Sequence, residues 1–259
     1  MKRTIFFAAY VGVLAFFGGA IAERNGFFDR FIEPAPASAE IAAPARLVHY
    51  RAVLAAGDDS IPNFDNAVET LADRLQRSDV ETTILTSDGR LVTNHRWYAT
   101  AEVIDGALSD VGTSDGCLVF VTSHGNEIGL VMGMDNAEGY YLTPARLADI
   151  LARDCDRRPT VAILSGCHSG TFLTDAMMAE NRIILTAARK DRPSFGCSTD
   201  TRFTYFDECL LDAMNDGGTW AAIFDRTKVC IERKERRKDV DPSYPQAFFG
   251  AAVKDLGIK

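Results

Sequence analysis

Positive charge is in short supply. Lys and Arg number 28 against 36 Asp and Glu, a formal net charge of −8. Nonspecific binding to nucleic acid needs a basic excess to neutralise phosphates, so that class is excluded. The one dense basic run, Arg233-Lys234-Glu235-Arg236-Arg237-Lys238, reads as the solvated end of a helix. No CxxC, HExxH or other grouped Cys/His spacing occurs, so no metal is expected. No internal repeat is visible. Histidine is scarce, with four in the chain (His49, His95, His124 and His168), which narrows the search for a base that works near neutral pH.

What is present describes one large domain with an N-terminal appendage. At 259 residues and 47% hydrophobic, the chain can bury a full core. Lys2 and Arg3 precede an apolar run from Ile5 to Ala22, and Ala20-Ile21-Ala22 has the small-x-small form of a signal-peptidase site. Two outcomes follow: a cleaved export signal with Glu23 as the mature N-terminus, or an uncleaved anchor attaching residues 4–22 to a membrane. The cleavage pattern favours export. In both cases the rest of the chain lies outside the cytoplasm, periplasmic or extracellular. Residues 23–44, with Pro34, Pro36 and Pro44 among many alanines, read as a linker.

An oxidising compartment permits disulfides among the six cysteines. Cys209 and Cys230 fall on two successive helical patterns that an antiparallel pair brings together. Cys117 and Cys155 both precede strands and can meet at the bottom of a sheet. Cys197 is left over. Spacing alone does not fix this connectivity.

Strands and helices alternate through residues 45–259. Apolar strand patterns cover Leu47 to Ala55, Val80 to Leu85, Cys117 to Thr122, Thr160 to Leu164, Arg182 to Ala187 and Gln246 to Val253. Helical spacing covers Phe64 to Leu75, Ala99 to Val111, a stretch begun by Thr143-Pro144, Phe203 to Met214 and Thr219 to Arg233. Glu127 to Met132 and Tyr140 to Leu142 form a hairpin pattern around Asp135-Asn136. Residues 189–202 are a polar loop without periodicity, long enough to be functional. The pattern predicts an α/β fold, a mostly parallel six-stranded sheet covered on both faces.

Two strands end in unusual chemistry. Thr160-Val161-Ala162-Ile163-Leu164 runs into Ser165-Gly166-Cys167-His168-Ser169-Gly170. The earlier Cys117-Leu118-Val119-Phe120-Val121-Thr122 runs into Ser123-His124-Gly125. Each places a reactive side chain just past the carboxyl end of a buried strand, where open α/β sheets bind ligands. If the strands are neighbours, a thiol meets an imidazole, a nucleophile beside a base. Ser169 and Thr171 are expected to cap a following helix whose N-terminus favours the thiolate. His168 is the rival base, but adjacent residues diverge, so it is expected to point away from the thiol. His49 and His95 lie outside both motifs.

These two motifs, with Ser194-Phe195-Gly196-Cys197, resemble the caspase-like cysteine peptidases and most closely the legumain, or C13, family. The resemblance covers about residues 45–256. It implies a caspase-like three-layer α/β/α sandwich and a His–Cys dyad acting on peptide or protein substrates without a cofactor. His124 is then the base, Cys167 forms the acyl-enzyme, and the N–H groups of Gly125 and Cys167 form an oxyanion hole. Asn63, in Pro62-Asn63-Phe64, matches a family asparagine that helps orient the histidine. The chain also departs from the family. Asp65 stands where the family's specificity pocket has a basic residue, and Ser165 where it has an acid two before the cysteine. Asp207, in Thr204-Tyr205-Phe206-Asp207, takes the place of a later family acid. With Ser165 and Ser194 as neutral hydrogen-bonding groups, a pocket holding Asp65 and Asp207 is expected to prefer Arg or Lys before the scissile bond, with Asn second. Three activities fit these residues: an endopeptidase, a transamidase using the same acyl-enzyme, and a caspase-like binding module without catalysis.

Overall fold

Short apolar runs buried on both faces become the central strands, because a parallel sheet covered by helices offers no wet face. In the computed structural model, which describes residues 46–109, 116–133 and 140–258, the chain forms β1 (Arg46–Leu47), β2 (Tyr50–Ala56), α1 (Asn63–Gln76), β3 (Glu81–Thr86), β4 (Arg96–Tyr98) and α2 (Ala101–Ser109). There follow β5 (Gly116–Thr122), β6 (Leu130–Val131), β7 (Tyr141–Leu142), α3 (Pro144–Asp154), β8 (Thr160–Ser165) and β9 (Arg182–Thr186). The C-terminal part adds α4 (Tyr205–Met214), β10 (Gly218–Thr219), α5 (Trp220–Lys238), β11 (Gln246–Phe249) and β12 (Leu256–Ile258). The described residues fall within one compact unit, Ala42–Lys259. The expected leader, the whole of the linker and the expected turn at Asp135-Asn136 lie outside them. Among the described residues no helix is long and apolar enough to cross a membrane.

The main sheet has the order β11-β9-β8-β5-β2-β3-β4. Every neighbour pair is parallel except β11 with β9. On one face α1, α4 and α5 pack over Leu54, Phe120, Ile163 and Leu185. On the other, α2 and α3 pack over Val53, Val119, Ala162 and Ile184. The three-layer sandwich is therefore the one expected, but the sheet has seven strands rather than six. The extra strand, β4, is three residues long, too short to show a period of two, and its Trp97 and Tyr98 remain exposed. The last strand is shorter than its apolar pattern, because turns begin after Phe249.

Thr143-Pro144 opens a helix as expected, and two further helices are capped in the same way. Thr143, Thr204 and Thr219 each accept a backbone N–H through the hydroxyl, at the starts of α3, α4 and α5. No α-helix follows Cys167, however. A single 3-10 turn, Ser169–Phe172, takes its place. Gly170 N–H donates to the Ala188 carbonyl and Ser169 Oγ accepts from Ala188 N–H, so β9's end captures the groups a helix would have used. Thr171 Oγ1 caps nothing. A macrodipole needs aligned peptide units, so the expected help to the thiolate from a helix end is absent. Both cysteine pairs do form: Cys117–Cys155 and Cys209–Cys230, with Cys167 and Cys197 free.

Candidate active site

Register brings the two motifs together. β5 and β8 are parallel neighbours, with Thr122 opposite Ser165, and Ser123 N–H extends the pairing to the Ser165 carbonyl at 3.0 Å. His124 and Cys167 each stand two residues beyond that matched pair. Two glycines allow the turns to touch. A Cβ on Gly125 would lie 2.4 Å from the Cys167 carbonyl oxygen, and one on Gly166 would lie 2.7 Å from the Ser123 carbonyl oxygen. Any larger residue at either place forces the turns apart.

The backbone at Gly125 is turned outward. Val131 N–H donates to the His124 carbonyl at 2.9 Å and Asn126 N–H to the Gly129 carbonyl at 3.0 Å. Gly125 pairs with Leu130 between those two bonds, so its own N–H points away from the pair. Neither that N–H nor the N–H of Cys167 has an acceptor among the described residues. Two unspent donors beside a thiol are what an oxyanion requires.

The half-buried Cys167 thiol is held by residue 194. Its sulphur accepts Ser194 N–H at 3.3 Å and lies 3.6 Å from the Ser194 carbonyl and 3.8 Å from Ser194 Oγ. The His124 ring stands edge-on to Phe64, with centroids 5.2 Å apart. His168 turns elsewhere. It sits in the left-handed region (φ 58°), its Nδ1 lies 2.9 Å from the Lys190 carbonyl, and Glu127 is 3.9 Å away. His49 is at the opposite end of the sheet, its Nε2 3.2 Å from the Asp79 carbonyl, and His95 is in the exposed turn before β4.

Asn63 is wholly buried, and its amide nitrogen holds the loop rather than the histidine. It donates to the Thr201 carbonyl at 2.8 Å, to Thr201 Oγ1 at 2.9 Å and to the Gly196 carbonyl at 3.2 Å. Its Oδ1 is buried without a partner. Asp207 is also wholly buried. Thr122 Oγ1 donates to its Oδ2 at 2.7 Å, Ser165 and Thr204 lie beside the carboxyl, and Oδ1 has no hydrogen bond. Burial pushes this carboxyl above the usual aspartate range, against the pull of Ser165, Thr122 and Thr204. Asp65 is separate. Thr86 Oγ1, at the end of β3, donates to it at 2.7 Å, and burial pushes this acid up too. The structure thus gathers His124, Gly125, Cys167 and Ser194, sets Asp207 with Ser165 beneath them, and leaves Asp65 towards β3.

One residue of this region, Asp58, was not singled out from sequence, and another, Cys197, was noted there only as a left-over cysteine in a motif of the resemblance. Cys197 is a free thiol pushed up to about 12, first by burial and then by Cys167, Asp207 and Asp58. Asp58 closes β2 and is 3% exposed. Gly57-Asp58-Asp59-Ser60 looks like a strand terminator in the sequence, and only the register reveals its place. Among the described residues no three His, Cys, Asp or Glu side chains group as metal ligands would.

Comparison with known proteins bears on the fold and the family. No curated protein sequence matches the chain. Caspase-1 from Spodoptera frugiperda is similar in fold, with a TM-score of 0.56 at 14% identity, covering 80% of this chain and 87% of that one. The family model described as Peptidase C13 family matches residues 49–248. That span contains both motifs and all of the sheet from β2 to β9, and so the chain belongs to the peptidase C13 family of cysteine peptidases.

Proposed function

We propose that this chain is an exported cysteine endopeptidase working through a Cys167 acyl-enzyme with His124 as base. The observation that carries the reading is the matched register: His124 and Cys167 extend adjacent parallel strands by the same two residues. His124 takes the thiol proton, and the sulphur attacks the scissile carbonyl carbon. The oxyanion accepts the N–H groups of Gly125 and Cys167. Collapse breaks the C–N bond, the amine leaves with the proton from His124, and a thioester remains. Water, deprotonated by His124, attacks that thioester and restores the thiol. An amine in place of water gives transamidation, so the two activities share every residue up to this step. Ser194 N–H steadies the sulphur, and Asn63 fastens the following loop through Thr201 and Gly196.

The buried Asp207 with Ser165 and Ser194 beside the thiol, and Asp65 further along the edge, favour Arg or Lys before the scissile bond and Asn second. Export is supported by the N-terminal basic pair, apolar run and Ala20-Ile21-Ala22, and by two disulfides, which suit an oxidising compartment. The test is a thiol-reactive electrophile applied to the purified chain beside a peptide-library cleavage profile. Labelling at Cys167 together with cleavage is expected. Label only at Cys197 and no cleaved peptide would leave the binding-module reading.

A further inference from the structure

The sheet register sets one more acid in line with the dyad. Ala56 of β2, Thr122 of β5 and Ser165 of β8 are successive partners across three neighbouring strands. Asp58, His124 and Cys167 each follow two residues later. Residues two apart in a strand share a face. Here it is the face under α1, α4 and α5, since Ala56 belongs to that core and Thr122 reaches Asp207 of α4. Asp58 is nearly buried, and its Oδ1 is held by Ser60 N–H at 2.8 Å and by Ser60 Oγ, which leaves Oδ2 without a bond among the described residues. Its carboxyl acts on Cys197 together with Cys167 and Asp207, and no cation is among the groups acting on Cys197 or Asp207.

Two buried acceptors in this region lack donors: Asp207 Oδ1 and Asn63 Oδ1, both on wholly buried residues. The 196–201 loop holds the Asn63 nitrogen, so the oxygen faces away from that loop. Buried acceptors without donors are costly and rare. The group that answers such a pocket has donors only, and a guanidinium carries five with a permanent charge.

We propose that Asp58 is the specificity-determining carboxylate of this pocket, pairing with the guanidinium of an arginine before the scissile bond. The proposal rests on the peptidase reading above. Strand spacing sets the reach. β2 lies two strands from β8, about 10 Å, whereas β3, whose Thr86 occupies Asp65, lies three strands away, about 14 Å. A long arginine side chain spans the first distance, and asparagine is too short for it.

The experiment compares matched peptides carrying arginine, its neutral isostere citrulline, or asparagine before the scissile bond. The full chain is used as wild type, Asp58→Asn and Asp59→Asn, the last removing an exposed charge next door. Wild type and Asp59→Asn should prefer arginine over citrulline by roughly 100-fold or more in kcat/KM, and Asp58→Asn should narrow that ratio to about fivefold. If Asp58→Asn does not fold, Asp58→Ser, which keeps a hydroxyl beside Ser60, replaces it. Calorimetry on Cys167→Ala protein, with and without the Asp58 change, reads the same pocket without catalysis. An unchanged ratio in the Asp58 variant, or a wild type indifferent to charge, overturns the assignment while the peptidase reading stands. Charge-selective binding that depends on Asp58, in a chain that cleaves nothing, keeps the pocket and overturns the peptidase.

Discussion

Cys117 and Cys167 lie at opposite ends of the same sheet. Cys117 is the second residue of β5, is fully buried and is bonded to Cys155 at the end of α3. Cys167 follows β8, is half-buried and stays free. Parallel strands put all their carboxyl ends on one edge, so the two edges can be built for different ends. The lower edge is closed by a covalent bond. The upper edge is left open: two N–H groups without acceptors, two acids pushed up by burial, and glycines that let turns touch. Stability and reactivity are divided along the strand direction.

The largest effects should come from the upper edge and leave the fold unchanged. Cys167→Ala should abolish cleavage, with thermal stability close to wild type, because the side chain sits at a turn. His124→Ala should lose nearly as much, since nucleophile and base act as a unit; losses of about 10⁴-fold or more are usual for such pairs. His168→Ala should retain most activity, because its ring faces the Lys190 carbonyl. Rates for all three come from one steady-state assay. A dead His168→Ala beside a live His124→Ala would reverse the assignment of the base. Gly125→Ala should fall next, by roughly 10²-fold or more, as its methyl group meets the Cys167 carbonyl and moves an oxyanion donor.

The lower edge should behave in the opposite way. Cys117→Ala with Cys155→Ala opens a loop of 38 residues and should cost about 4 kcal/mol of stability. Cys209→Ala with Cys230→Ala, which unlinks α4 from α5 in the helix layer rather than at the lower edge, opens 21 residues and should cost about 3 kcal/mol. Denaturant melts give both values. Each folded variant should still cleave at near the wild-type rate under conditions where it is fully folded. A disulfide variant that melts as wild type but loses cleavage would break the division between the edges.

Much of this was legible because it is written locally. Apolar runs ending in His124-Gly125 and Gly166-Cys167 mark strand ends by composition, and Thr143-Pro144 marks a helix start. The cysteine pairs were suggested by the elements that carry them, but spacing alone did not fix them. What stayed hidden depends on register or on partners far away in sequence. β4 is too short for periodicity to register. Ser169 and Thr171 look like caps until Ala188 takes the hydroxyl of one and the turn leaves the other unused. Asn63 looks like a histidine's support, yet its nitrogen is claimed by Gly196 and Thr201, more than a hundred residues on. Asp58 reads as a turn residue until pairing sets it beside the strands of His124 and Cys167.

The smallest effect expected is a pH slope at the upper edge. Asp207 is wholly buried and its carboxyl is raised above the usual aspartate range by burial, which Ser165, Thr122 and Thr204 offset only in part. A carboxyl raised on folding binds its proton more tightly in the folded state. Its contribution to stability is therefore full below the unfolded aspartate value, about 3.9, and declines as pH rises through that value towards the raised folded one. Asp207→Asn keeps the shape, can still accept from Thr122, and cannot ionise. The difference in melting temperature, variant minus wild type, should become more positive from acid to neutral pH. Taking the difference removes Asp65, also raised, from the comparison, because it titrates alike in both proteins. A difference that does not change with pH would mean that Asp207 is not a source of strain at the open edge. The same scan on the Cys117→Ala, Cys155→Ala protein should show a uniform drop with no new slope, since a disulfide carries no proton to exchange.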